Sequence, residues 1–98
     1  MRYYVSEKKS GNEVVIAICD EDILGKTFRN PPFILEVKED FYRGTLVDEF
    51  ELLALFRKAT ILNLSGKSVV SLAQKAGFIK EECILKIGKT LHAQMARM

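Results

Sequence analysis

The run Val14-Val15-Ile16-Ala17-Ile18-Cys19 constrains this chain more than any other segment. It is too short for a typical helix, and it lacks the polar alternation of a strand with one wet face. A continuous β-branched apolar run of this length reads as a central strand covered on both faces. Just before it, Tyr3, Val5 and Glu7 alternate against Tyr4, Ser6 and Lys8, and Ser10-Gly11-Asn12 supplies a turn. Two such strands around a glycine turn predict a hairpin.

The same run is the longest apolar stretch, six residues, which excludes a membrane-spanning segment. The first fifteen residues carry charges and no apolar stretch of signal-peptide length, so a cytoplasmic protein is expected. With 98 residues, 48% of them hydrophobic and 29% charged, the chain has the profile of one globular domain over residues 1–98.

Beyond the hairpin, Asp20-Glu21-Asp22 reads as a turn and Lys26 to Arg29 as a short strand or loop. Pro31-Pro32 interrupts it, because proline lacks a donor and fixes φ. Phe33 to Lys38 then alternates as a strand. Asp40 to Gly44 turns, folding Phe41 and Tyr42 back onto the core, and Gly44 to Val47 is a brief extended piece.

Asp48 with Glu51 has capping-box spacing, and Leu52, Leu55, Phe56 and Ala59 form one helical face. Phe50, Leu53 and Ala54 widen that face, predicting a largely enclosed helix. A second helix is expected after Ser65 as N-cap, with Val69, Leu72, Ala73 and Ala76 inward and Gly77 as terminator. Thr60 to Leu64 reads as the connection between the helices, Cys83 to Ile87 as a last strand, and Lys89 to Met98 as a tail. Strands, then helices, then a strand predict an α+β domain: a mostly antiparallel sheet with two helices packed on one face.

Net charge is only +2, yet residues 1–49 carry −3 and residues 50–98 carry +5. The second half is therefore a candidate face for an anionic partner. Ser65, Gly66 and Lys67 open a helix, and helix N-termini bind anions. Gly66-Lys67-Ser68 is not a phosphate loop, because the position of the first glycine holds Ile61. His92, the single histidine, is weighed as structural, binding or catalytic. In extended backbone it points the same way as Gln94, making a polar pair able to read a base, an amide or a partner strand. Tyr3 and Tyr4 on adjacent positions put at most one ring on an open face for base stacking. The acidic trio Asp20, Glu21 and Asp22 reads as solvated caps. Cys19 and Cys83 lie far apart in apolar runs without zinc or redox spacing, so no metal and no cofactor is expected.

Several segments taken together resemble a known family. Cys19-Asp20-Glu21, Leu24-Gly25-Lys26 with Phe28, Asn63-Leu64-Ser65-Gly66 at a helix start, and His92-Ala93-Gln94 with terminal Arg97-Met98 occur in the order of archaeal domain of unknown function family 424. The resemblance spans nearly the whole chain. It implies an archaeal, intracellular protein with a suggested association with RNA or translation and no catalytic residue to carry over. Free thiols are expected, and an archaeal source would make a Cys19–Cys83 disulfide less improbable. The chain departs from the pattern at Leu91, where proline is expected, and at Ser65, where an apolar residue is expected.

The expected function is a binding module contacting RNA or a ribonucleoprotein. Lys26, Gly66, Lys67, Lys89 and Arg97 are candidates for anion contacts, and Asn63, His92 and Gln94 for specificity. Two alternatives are a protein-interaction or homodimerising domain using Tyr3 to Val5 as an edge strand, and a small enzyme using His92 with Cys19 or Asp20 to Asp22.

Overall fold

The hairpin forms as its sequence demands. In a computed structural model, which describes residues 1–97, β1 (Arg2–Ser10) and β2 (Glu13–Asp20) pair antiparallel through their full length. The turn at Gly11 has φ +60°, which glycine adopts without a Cβ penalty. A 3-10 turn (Glu21–Ile23) leads to a small hairpin, β3 (Thr27–Asn30) and β4 (Phe33–Glu36), that closes at Pro31-Pro32. Four residues, Glu39–Tyr42, make the short helix α1, and β5 (Thr45–Asp48) returns to the sheet. Helix α2 (Glu49–Lys58) follows, then β6 (Ile61–Ser65), α3 (Lys67–Lys75), a 3-10 turn (Glu81–Cys83), β7 (Ile84–Ile87) and β8 (Thr90–Ala96).

The main sheet has six strands in the order β5-β1-β2-β6-β8-β7, with β3-β4 as a separate two-stranded sheet. Every pairing is antiparallel except β2 with β6. The fold is α+β, with α2 and α3 on one face. There Leu52, Phe56, Val69, Val70 and Ala73 pack on Tyr3, Val5, Ile16, Ile18, Leu62 and Leu64. The opposite face carries a second, smaller core. Ala17 and Cys19 lie under Ile23, Val37 and Tyr42, with Phe28 and Leu35 packed alongside. Val14 to Cys19 is the strand between these layers, which is why it tolerates no polar alternation.

Five local expectations change. Thr60 to Leu64 is not a connection, because Ile61–Ser65 forms the interior strand β6. The tail is not peripheral either: Thr90–Ala96 forms β8 between β6 and β7, and Met98 lies outside the described residues. Ser65 is a strand residue, and the N-cap of α3 is Gly66. Helix α2 is less enclosed than its composition suggests, since Phe50 is 92% exposed. Its N-terminus is capped by Asp48, whose carboxylate accepts from the Phe50 N–H at 3.1 Å. Finally, Tyr3 to Val5 is covered by β5, so it offers no free edge to a partner sheet.

The aromatic and cysteine expectations also resolve. Tyr3 is fully buried, and its hydroxyl bonds that of Ser68 at 2.5 Å. Tyr4 is half-buried beneath the Arg43 guanidinium, 5.5 Å from its ring centroid. Neither ring is free to stack on a base. Cys19 is buried, Cys83 is exposed at a 3-10 turn, and both are free thiols.

Candidate functional site

Alternation along two adjacent strands builds the site. In β6, Leu62 and Leu64 face the helices, so Asn63 and Ser65 face the other way. In β8, Ala93 faces the helices with Leu91 and Met95 packed beside it, leaving His92 and Gln94 opposite. The antiparallel register sets Asn63 directly across from Gln94 and Ser65 across from His92. Helix α1, laid over this face, turns Tyr42 inward so that its hydroxyl meets Ser65.

The side chains form one hydrogen-bonded chain. The Tyr42 hydroxyl donates to Asn63 Oδ1 at 3.4 Å and lies 2.8 Å from Ser65 Oγ. Ser65 Oγ lies 2.9 Å from His92 Nδ1, and His92 Nε2 lies 3.3 Å from Gln94 Nε2. Burial pushes the Tyr42 phenol up to about 12, with the Ser65 hydrogen bond acting against it. Burial also lowers the His92 pKa below its ordinary 6.5, so the neutral imidazole is the form at neutral pH. Ser65 is fully buried, so its hydroxyl orients His92 and cannot reach a ligand as a nucleophile. Cys19 is no better placed for attack: burial, reinforced by Asp20 and Asp22, pushes its thiol up to about 12.

Asn63, His92 and Gln94 open into a cleft of about 530 Å³, within the size range of small-ligand pockets. The β4 residues Ile34, Leu35 and Glu36 form one wall, and Lys38, Asp40 and Phe41 of the following segment continue it, with Lys8 of β1 at the rim. Phe41 is 37% exposed. Two lysines face two carboxylates around the cleft, so it is close to neutral rather than strongly basic.

The remaining sequence candidates fall elsewhere. Lys67 and Lys89 share a different hollow, beside Asp20 and Asp22. Lys26 lines a third, which shares Glu36, Lys38 and Asp40 with the rim of the cleft. The Arg97 guanidinium donates to the Phe56 and Arg57 carbonyls at 3.3 Å each, closing the C-terminus of α2. The N-terminus of α3 already holds an anion. The Asp20 carboxylate accepts from the Ser68 and Val69 N–H groups at 2.9 Å each. Gly66 has φ +126°, and a Cβ there would run into that carboxylate. Asp20, 4% exposed, is therefore a cap for α3 and not one of three solvated acids. Tyr42, Phe41, Lys8 and Lys38 were not singled out by the sequence as parts of a site, and Ser65 only as part of the helix start. The polar residue at every second position of β6 was the available signal for Ser65. Among the described residues no group of three or more His, Cys, Asp or Glu is placed to hold a metal, and no helix is long and apolar enough to cross a membrane.

Comparison with known proteins places this arrangement. The model of a family described as protein of unknown function (DUF424) matches residues 8–98, nearly the whole chain. The chain belongs to that family. A solved structure, that of an uncharacterized conserved protein from Methanopyrus kandleri, is similar to this DUF424 chain with a TM-score of 0.75 and 26% identity. It covers 100% of this chain and 96% of its own. No curated protein matches.

Proposed function

We propose that this DUF424 protein is a binding module for single-stranded RNA, free or in a ribonucleoprotein, and that it seats a base in the cleft on the face of its sheet opposite α2 and α3. The observation that carries the reading is the convergence of Asn63, His92 and Gln94 from two adjacent strands into one cleft. Sequence-specific RNA recognition works on unstacked bases, through hydrogen bonds to their edges and stacking on aromatic rings. The cleft supplies amides and an imidazole for the edges, and Phe41 at its wall for stacking. Lys8 and Lys38, which also line the cleft, would meet flanking phosphates. Lys67 and Lys89, exposed in their own hollow, would engage a longer strand. The Methanopyrus relative fits an archaeal source.

The weak charge balance makes a quantitative demand. Two phosphate contacts at about −0.7 each give a log K against log salt slope of about −1.4. Fluorescence anisotropy with a labelled single-stranded RNA 12-mer at low salt, and with the same sequence as a duplex, tests the reading. Binding of the single strand with that shallow slope, weakened at least about tenfold by Asn63→Ala with Gln94→Ala, is expected. Absence of binding at low salt, or an unchanged affinity in the double variant, overturns it. A stable dimer by light scattering without RNA affinity would point to self-association instead.

A further inference from the structure

The orientations of the two amides set one proton order along the floor of the cleft. With the amides as placed, Asn63 Oδ1 accepts from the Tyr42 hydroxyl, which spends the only proton that tyrosine has. Tyr42 Oη, 2.8 Å from Ser65 Oγ, then accepts the serine proton. Ser65 Oγ, having donated, accepts from His92 Nδ1 at 2.9 Å, so the imidazole proton sits on Nδ1. His92 Nε2 is left as an acceptor, and the Gln94 amide N–H faces it at 3.3 Å. One proton order thus satisfies all four contacts, and each bond in such a chain polarises the next. It leaves two groups for a ligand: the amide N–H of Asn63 and the amide oxygen of Gln94, on residues directly opposite in register.

We propose that the cleft reads the pairing edge of a nucleobase, with the Asn63 N–H meeting a base acceptor and the Gln94 oxygen meeting the adjacent base donor. This rests on the RNA-binding reading and names the chemistry recognised at that site. Each of the four RNA bases carries an acceptor next to a donor on its pairing edge, as uracil does with O4 and N3–H. A site that offers one donor and one acceptor in a fixed order therefore takes guanine in one orientation and adenine or cytosine, in which the order is exchanged, only with the base turned over, while uracil fits either way. It rejects duplex, because pairing has already consumed the same edge. His92 acts as a positioning residue: its Nδ1–H tautomer, held by Ser65, is what keeps Gln94 turned with its oxygen outward.

Two measurements test this. His92 is the only histidine, so a long-range proton–nitrogen correlation on the uniformly labelled full chain at neutral pH reports its tautomer without further assignment. The proton is expected on Nδ1; a proton on Nε2 requires the whole chain to run backwards and overturns the proposal. The second compares a uridine 12-mer with its N3-methyluridine counterpart, which keeps phosphates and ring faces but lacks the base donor. Binding about tenfold or more weaker is expected for the methylated strand. Equal binding of both strands refutes the base-edge assignment while RNA binding stands. Failure of the unmodified strand to bind removes the RNA reading and the base assignment together, and the tautomer still reports the proton order.

Discussion

Replacing Asp20 by alanine strips α3 of its cap. The carboxylate is 4% exposed and accepts two backbone N–H groups, from Ser68 and Val69, at 2.9 Å each. Alanine leaves both donors without a partner at a closed helix end. A buried unsatisfied donor costs about 1–3 kcal/mol, and lost caps range up to about 2 kcal/mol. The offset is that an ionised carboxylate no longer has to be desolvated. Burial raises the Asp20 pKa above 3.8, with the two N–H bonds pulling it back and Asp22 pushing it further up. The net loss should be about 2 kcal/mol, which for a domain of this size is a fall in Tm of roughly 8–16 °C. The pH dependence has a fixed sign. A carboxyl whose folded pKa is raised contributes stability that is fully present below 3.8 and is lost as pH rises through its folded value. The gap between the wild type and the non-titrating Asp20→Ala should therefore narrow as pH rises from acid toward neutral. Urea denaturation followed by circular dichroism across that range measures it, with the exposed Glu82→Gln as control. A gap under about 0.5 kcal/mol throughout, or one that widens with pH, refutes the account of Asp20 as a buried cap dominated by desolvation.

Gly66→Ala forces a side chain onto φ +126° and into the Asp20 carboxylate, at a cost of about 3 kcal/mol. Because Asp20 is the atom group struck, combining it with Asp20→Ala should recover about 1 kcal/mol relative to additivity in a double-mutant cycle. Thiol labelling of the native protein should modify one cysteine, the exposed Cys83, and labelling in denaturant two, because Cys19 is buried with its thiol pushed up to about 12; rapid double labelling of the native state contradicts this. His92 has a folded pKa lowered by burial, so its contribution is present above 6.5 and lost as pH falls below it. Denaturation midpoints from about pH 8 to about pH 5 should fall for the wild type and stay flatter for His92→Gln, and equal slopes would count against a buried neutral imidazole.

The hairpin, the two longer helices and the class of the fold were legible because each rests on a local pattern. Val14 to Cys19 announces a strand enclosed on both sides, and Asp48 announces the start of α2. The strands β6 and β8 were hidden for a common reason. Ile61–Ser65 has five residues, only Leu62 and Leu64 carry its buried alternation, and it sits between two helical periodicities that make it look like a linker. Thr90–Ala96 alternates throughout, but its inward residues include Ala93, too small to stand out as core. What makes both segments strands is pairing with distant partners, β6 on the vacant side of β2 and β8 between β6 and β7, a long-range fact that no window along the chain contains. The same holds for Phe50, which the helical stripe counts as core and the packing leaves in solvent.

Asp20 also shows why the helix end and the sheet face, both candidates from the sequence, part company. From the sequence, the start of α3 had every attribute of an anion site: free N–H groups, a glycine and Lys67. The fold brings an acid forty-eight residues upstream, counted from Ser68, into that position. An external anion there would have to displace a carboxylate held by two hydrogen bonds, and Gly66 is present because that carboxylate needs the room. Among the described residues no group claims the amide N–H of Asn63 or the amide oxygen of Gln94. Their inward atoms are engaged by Tyr42 and His92, and the outward ones open into the cleft. A binding surface needs polar groups that are positioned and still unspent. By that criterion the β6–β8 face is the better candidate and the N-terminus of α3 the poorer one, although the charge pattern of the sequence favours the latter.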